Sequence, residues 1–150
     1  MKRVQVAIAI IVRDGKILIC QRLPEAPLGG LWEFPGGKVE PGETIEQCLQ
    51  REAEEEVNLR IRPRQRLPQI DYDYPNASVR LHPFLCDVES GQVECRGCQA
   101  ARWVNAVQLR DYSFPPANAG LTEQLISLLN AEASSQNRTT GACTDPRRAC

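Results

Sequence analysis

Gly37-Lys38-Val39-Glu40-Pro41-Gly42-Glu43-Thr44-Ile45-Glu46-Gln47-Cys48-Leu49-Gln50-Arg51-Glu52-Ala53-Glu54-Glu55-Glu56-Val57-Asn58-Leu59 joins a glycine-bearing turn to an acidic run at fixed offsets. The second half carries its own helix signals. Thr44-Ile45-Glu46-Gln47 reads as a capping box, with Thr44 as N-cap and Gln47 reaching back to its amide. Ile45, Leu49, Ala53 and Val57 recur every four residues as a buried stripe, and Asn58 tolerates the left-handed backbone that ends helices. On this helix Glu52, Glu55 and Glu56 stand at i, i+3 and i+4 and share one face. Glu54 lies roughly 160° from Glu52, toward solvent. Like charges this close repel one another unless a cation sits among them, and hard oxygen donors select Mg²⁺ or Mn²⁺.

Glutamate-rich helices are commonly solvated surface held by i, i+4 pairs, which is the competing reading of Arg51 to Glu56. A solvated helix does not require the loop that precedes it. Pro35-Gly36-Gly37 and Pro41-Gly42 force a tight path whose bare backbone can approach an ion or phosphate, and the Gly36 carbonyl is a candidate ligand beside the carboxylates. Arg51 can pair with a neighbouring carboxylate and fix its rotamer, and Glu43 can support the site from the loop.

These residues resemble the Nudix hydrolase signature, Gly-x5-Glu-x7-Arg-Glu-U-x-Glu-Glu-x-Gly-U with U a bulky apolar residue. The matches are Gly37, Glu43, Arg51, Glu52, Glu55, Glu56 and Leu59; Asn58 stands where the signature has Gly, and Ala53 is small for its place. Leu31-Trp32-Glu33-Phe34-Pro35-Gly36-Gly37-Lys38 and Phe114-Pro115-Pro116-Ala117-Asn118 are similar to the stretches that frame the base pocket of MutT-type members. The resemblance implies an α+β Nudix fold, a mixed β-sheet sandwiched between helices. It implies a Mg²⁺-dependent nucleoside triphosphate pyrophosphohydrolase acting on oxidised purine nucleotides, 8-oxo-dGTP above all, attacked at the β-phosphorus to leave the monophosphate and pyrophosphate. Carried over residue by residue, it gives metal to Gly36, Glu52, Glu55 and Glu56, catalytic work to Glu52 with Arg51 and Glu43, and substrate contacts to Arg22, Phe34, Pro35, Gly36, Gly37 and Asn118. An Asn amide offers donor and acceptor to a base edge, and an aromatic ring offers a flat wall. The residues themselves also fit plainer roles: Arg22 a solvated strand end, Phe34 core, Asn118 a helix N-cap. MutT-type members place a glutamate shortly before the Trp matching Trp103; Gly97-Cys98-Gln99 stands there, with Glu94 the nearest carboxylate able to replace it. Rival readings are a pyrophosphohydrolase for CTP or modified pyrimidine triphosphates, a non-catalytic nucleotide sensor, and an interaction module using the tail.

The chain has 150 residues, 42% of them hydrophobic, which supports one domain with a full core. A net charge of −1 gives no long-range attraction for polynucleotide. The apolar run from Val4 to Val12 is short and β-branched and precedes Asp14-Gly15, so it reads as a strand; nothing reads as a membrane span. Strands are expected at Val4 to Val12, Lys16 to Gln21, Gln69 to Tyr74, Ser78 to Val88 and Ala101 to Val104, with turns at Arg13-Asp14-Gly15 and Ser90-Gly91. Leu121, Leu125, Leu128 and Leu129 mark a closing helix. The domain is expected to cover 1–132, with a polar, disordered tail over 133–150. The odd total of seven cysteines suits a reducing cytoplasm, where Cys20, Cys48 and Cys86 serve as small apolar residues. Cys95-Arg96-Gly97-Cys98 has the spacing of a redox pair or half a zinc site, but no second pair follows and His82 is the only histidine, which disfavours zinc.

Overall fold

The computed structural model describes residues 2–140, with side chains through Leu129. Its elements in chain order are β1 (Val4–Arg13), β2 (Lys16–Gln21), β3 (Trp32–Glu33), β4 (Gly36–Lys38), α1 (Ile45–Val57), β5 (Leu59–Arg66), β6 (Ile70–Tyr74), β7 (Ala77–Gly91), β8 (Ala100–Val104) and α2 (Ala119–Thr140). Short 3₁₀ turns at Val107–Asp111 and Pro116–Asn118 lead into α2. The strands form one mixed sheet in the order β3-β2-β1-β7-β5, with β4 on β1, β6 on β7 and β8 on β2. β1 and β7 run parallel from Val4 opposite Val79 to Val12 opposite Asp87.

Strand alternation decides which side chains meet which helix. Ala7, Ala9 and Ile11 of β1 and Leu18 and Cys20 of β2 pack with Cys48, Leu49, Ala53 and Val57 of α1. Ile8, Ile10, Ile17 and Ile19 point the other way, into a core with Phe34, Leu121, Leu125 and Ile126. The fold is therefore the expected α+β sandwich, with a sheet between two helical layers.

The expected β1–β2 hairpin is present, with positive φ at both Asp14 (52°) and Gly15 (75°). A turn at Ser90-Gly91 is not: β7 continues through Gly91, which pairs with Leu59. Gly91 has φ 103°, and a Cβ there would collide with the Asn58 carbonyl, so its glycine serves a close strand approach within the ladder. Sequence reading also missed β5, where Leu59 and Ile61 are buried between exposed arginines. Pro63 obscured its strand pattern, but β5 lies at the sheet edge and shifts register between Pro63 and Gln65, as edge strands with proline do. The closing helix runs to Thr140, so it overlaps 133–140 of the segment expected to be a disordered tail. Ala131, Glu132 and Ala133 are strong helix formers and extend its pattern; positions 141–150 of that expected tail lie outside the described residues. No helix among the described residues is long and apolar enough to cross a membrane.

Candidate active site

α1 begins and ends as its sequence dictates. Gln47 N donates to Thr44 Oγ1 at 3.1 Å, Thr44 N donates to Gln47 Oε1 at 2.9 Å, and Asn58 closes the helix at φ 61°, ψ 33°. The buried stripe fixes the helix rotation on the sheet, which leaves Arg51, Glu52 and Glu56 at the margin between core and cleft.

Arg51 gathers the acidic groups. Its Nε and Nη2 donate to the two oxygens of Glu43 at 2.7 and 3.0 Å, and Nη1 donates to Glu52 Oε1 at 2.9 Å and Glu55 Oε2 at 3.2 Å. Nη2 also donates to the Lys38 carbonyl at 3.3 Å, so one guanidinium ties the Gly-rich loop to the helix. The Arg51 bonds, helped by the Glu40 amide, hold the Glu43 carboxyl down at about 2.

The Gly-rich loop brings bare backbone against the helix. A Cβ on Gly37 would stand 2.5 Å from Glu52 Oε1, so only glycine allows that carboxylate to rest there. Gly36 N donates to Glu56 Oε2 at 3.3 Å, which brings the backbone of the loop against the carboxylate. Burial is the main cause that raises both Glu52 and Glu56, the latter to about 8 with the charges of Glu33 and Glu52 adding to it. Glu52 and Glu56 also lie near each other.

Glu55 departs from the expected trio. It shares the helix face but is 60% exposed and turned to Arg51. Among the described residues, no group of three His, Cys, Asp or Glu side chains converges as a ready metal cage. The carboxylates have each taken a nearby donor: Arg51 for Glu52 and Glu55, the Gly36 amide for Glu56. Glu33, Glu52 and Glu56 nevertheless remain a half-buried like-charge set whose oxygens suit a hard divalent cation.

A cleft of about 200 Å³ opens beside these groups, lined by Arg22, Glu33, Phe34, Gly36, Gly37, Glu56 and Asn118, with Val6, Ile8 and Lys38 completing its wall. Most of the residues expected to contact substrate therefore meet in one place. Pro35 is the exception: it is buried, and its carbonyl accepts from Ala9 N at 2.8 Å. Arg22 Nη1 bonds Glu33 Oε2 at 2.7 Å across the cleft mouth. Phe34 is both core and wall, 2% exposed and stacked on Phe114 at 5.1 Å and 19°. Asn118 is 6% exposed, the one buried polar residue among those described. Its side chain makes no hydrogen bond among the described residues, so it does not cap α2, and its amide borders the cleft.

Glu33, Val6, Ile8 and Lys38 escaped sequence reading as site residues. Alternation along β1 marks Val6 and Ile8 as facing one side, but only the β2–β3 pairing of Cys20 with Glu33 carries Glu33 toward Glu56. Glu94 does not supply the missing carboxylate: it is 59% exposed and paired with Arg96 at 3.1 Å. Gly97 does face the site, since a Cβ on it would lie 3.7 Å from Glu56 Cγ.

Comparison with known proteins places this geometry. The NUDIX domain family model matches residues 6–124. The CTP pyrophosphohydrolase of Escherichia coli (strain K12) is 34% identical over 128 residues, covering 85% of this chain and 95% of that protein. The 8-oxo-dGTP diphosphatase of the same organism is 33% identical over 126 residues, covering 83% and 98%. Its Haemophilus influenzae counterpart is 36% identical over 127 residues, covering 84% and 93%. Among solved structures, MutT from Aliivibrio salmonicida and Vibrio cholerae superposes with TM-score 0.70 at 35% identity, over 85% of this chain and 98% of that one. The solution structure of the E. coli ORF135 protein superposes with TM-score 0.69 at 31% identity, over 99% and 96%. With the signature residues gathered on α1 and its loop, and with these relatives matched along most of their length, the chain belongs to the Nudix family and is a Nudix hydrolase of the MutT type.

Proposed function

We propose that this chain is a cytoplasmic, Mg²⁺- or Mn²⁺-dependent nucleoside triphosphate pyrophosphohydrolase that acts on oxidised purine nucleotides, converting 8-oxo-dGTP to 8-oxo-dGMP and pyrophosphate. The observation that carries the base assignment is Asn118, a largely buried residue whose side-chain amide has no partner among the described residues and opens on the same cleft as the carboxylates. An amide held there by a buried residue offers both a donor and an acceptor to a base edge entering the cleft. Phe34 supplies the apolar wall beside it.

Glu52, Glu56 and the Gly36 backbone are the groups that would hold the cation, with Glu55 joining once it leaves Arg51. Bound there, the ion would neutralise phosphate oxygens and supply activated water. Arg51 and Glu43 hold Glu52 in place, and Gly37 leaves room for it against the loop. Arg22 and Lys38 bring positive charge to the cleft, where a phosphate chain would lie. Residues 1–132 are proposed as the catalytic unit.

A second reading, a CTP pyrophosphohydrolase, is favoured by the 34% identity to the E. coli enzyme of that name. Measured kcat/KM for 8-oxo-dGTP, dGTP and CTP separates the two. The purine reading expects 8-oxo-dGTP to be preferred over dGTP, with Asn118→Ala lowering that preference by about 1–3 kcal/mol, roughly 5- to 150-fold. Preference for CTP, or an Asn118→Ala ratio equal to wild type, would transfer support to the pyrimidine reading.

A further inference from the structure

Cys95-Arg96-Gly97-Cys98 is the motif that hydrolysis leaves unused, and the fold places it against the acidic end of the cleft. Cys95 is exposed, while Cys98 is partly buried and packs on the same core cluster as Cys20. The Cys98 thiol lies near both Cys95 and Cys20. The segment is pinned at two points. Glu94 N donates to the Val57 carbonyl at 3.0 Å and Arg96 N to the Glu56 carbonyl at 2.9 Å, while Gln99 N donates to the Gln21 carbonyl at 3.0 Å. Between these pins Gly97 sits beside Glu56, within ordinary contact distance of its Cγ for any added Cβ.

We propose that Cys95 and Cys98 form a thiol–disulfide exchange site for small-molecule disulfides, and that its closure weakens cation binding at Glu56. The exposed Cys95 sulfur attacks a disulfide RSSR, forming a Cys95–SR mixed disulfide and releasing one RSH. Cys98 then attacks Cys95 Sγ and displaces the second RSH. In sum, two protein thiols lose two electrons, RSSR gains them, and the two thiol protons leave on two RSH. The bond draws Cys98 from Cys20 and shortens the path between the pins, so Gly97 moves against Glu56. Disturbing the surroundings of a metal ligand typically costs on the order of 10- to 100-fold in metal affinity, so about a tenfold loss is the scale expected.

The consequence rests on the proposed cation site, but the bond does not. The test uses the full chain carrying Cys143→Ser and Cys150→Ser, which removes the other thiols nearer the C-terminus. After oxidised glutathione treatment, peptide mass spectrometry reads the Cys95–Cys98 link as a loss of two hydrogens, and thermal melts read the Mg²⁺ concentration needed for a fixed rise in melting temperature. The expected result is a mapped Cys95–Cys98 bond and about a tenfold higher Mg²⁺ requirement, reversed by dithiothreitol and absent in Cys95→Ser. No mapped bond, a bond with an unchanged Mg²⁺ requirement, or a Cys95→Ser protein that responds like its parent would each overturn the proposal. Failure of the cation reading looks different: the reduced protein itself would show no Mg²⁺ shift.

Discussion

The Arg51 guanidinium bonds Glu43 on the loop and Glu52 on the helix at the same time, so the position of one carboxylate depends on the ionisation of the other. Glu43 is held at about 2, chiefly by its bond to Arg51, against an ordinary value near 4.5. A carboxyl whose pKa is depressed on folding stabilises the fold above its unfolded pKa, and that contribution is lost as pH falls from about 4.5 through about 2. Glu43→Gln in metal-free buffer should therefore lower the melting temperature at pH 7, and the gap from wild type should close as pH falls toward 2. A gap of the same size at every pH would contradict this pairing. The sequence suggested that Arg51 pairs with a neighbouring carboxylate and that Glu43 supports the site from the loop, but not that the two bond each other. It could not show that Glu55 turns to Arg51 or that Glu94 turns to Arg96, because an exposed carboxylate follows whichever donor tertiary structure brings near.

At the scale of elements, α1 was legible because its cap, stripe and stop are all local: Thr44, the Leu49-Ala53-Val57 spacing and Asn58 each act within a few residues. Thr44→Ala removes the acceptor for Gln47 N and should cost about 1 kcal/mol, read as a lower urea midpoint with an unchanged slope. An unchanged midpoint would mean that the cap contributes nothing beyond what water supplies. β3 and β4 were not legible, since two or three residues are too few to carry a period and they exist only through partners on β2 and β1. The same reason hid Glu33. Its approach to Glu56 depends on β3 pairing with β2, a relation between segments that no single window of sequence contains.

For the whole molecule, the sheet separates two cores and leaves a cleft with carboxylates at one side and the Asn118 amide opening on the other. The crowded carboxylates are a standing cost in the metal-free protein, and a cation that binds the native state alone must raise its stability. Mg²⁺ or Mn²⁺ should raise the melting temperature progressively, by about 1.4 kcal/mol of stability for each tenfold in concentration beyond the dissociation constant, with EDTA reversing it. An unchanged melt at millimolar Mg²⁺ would favour a solvated surface helix.

The measurement that bears most directly on the central claim is Mg²⁺-dependent pyrophosphate release from nucleoside triphosphates by wild type, Glu52→Gln and Glu54→Gln, with folding checked by circular dichroism. Glu52 rests against Gly37 and Arg51 at the cleft margin, whereas Glu54 is exposed on another face of the same helix. The expected result is that Glu52→Gln lowers turnover by about 10² or more with the fold intact while Glu54→Gln stays near wild type. Near-wild-type turnover in Glu52→Gln, or equal losses in both variants, would contradict the assignment of this helix face as the site of hydrolysis.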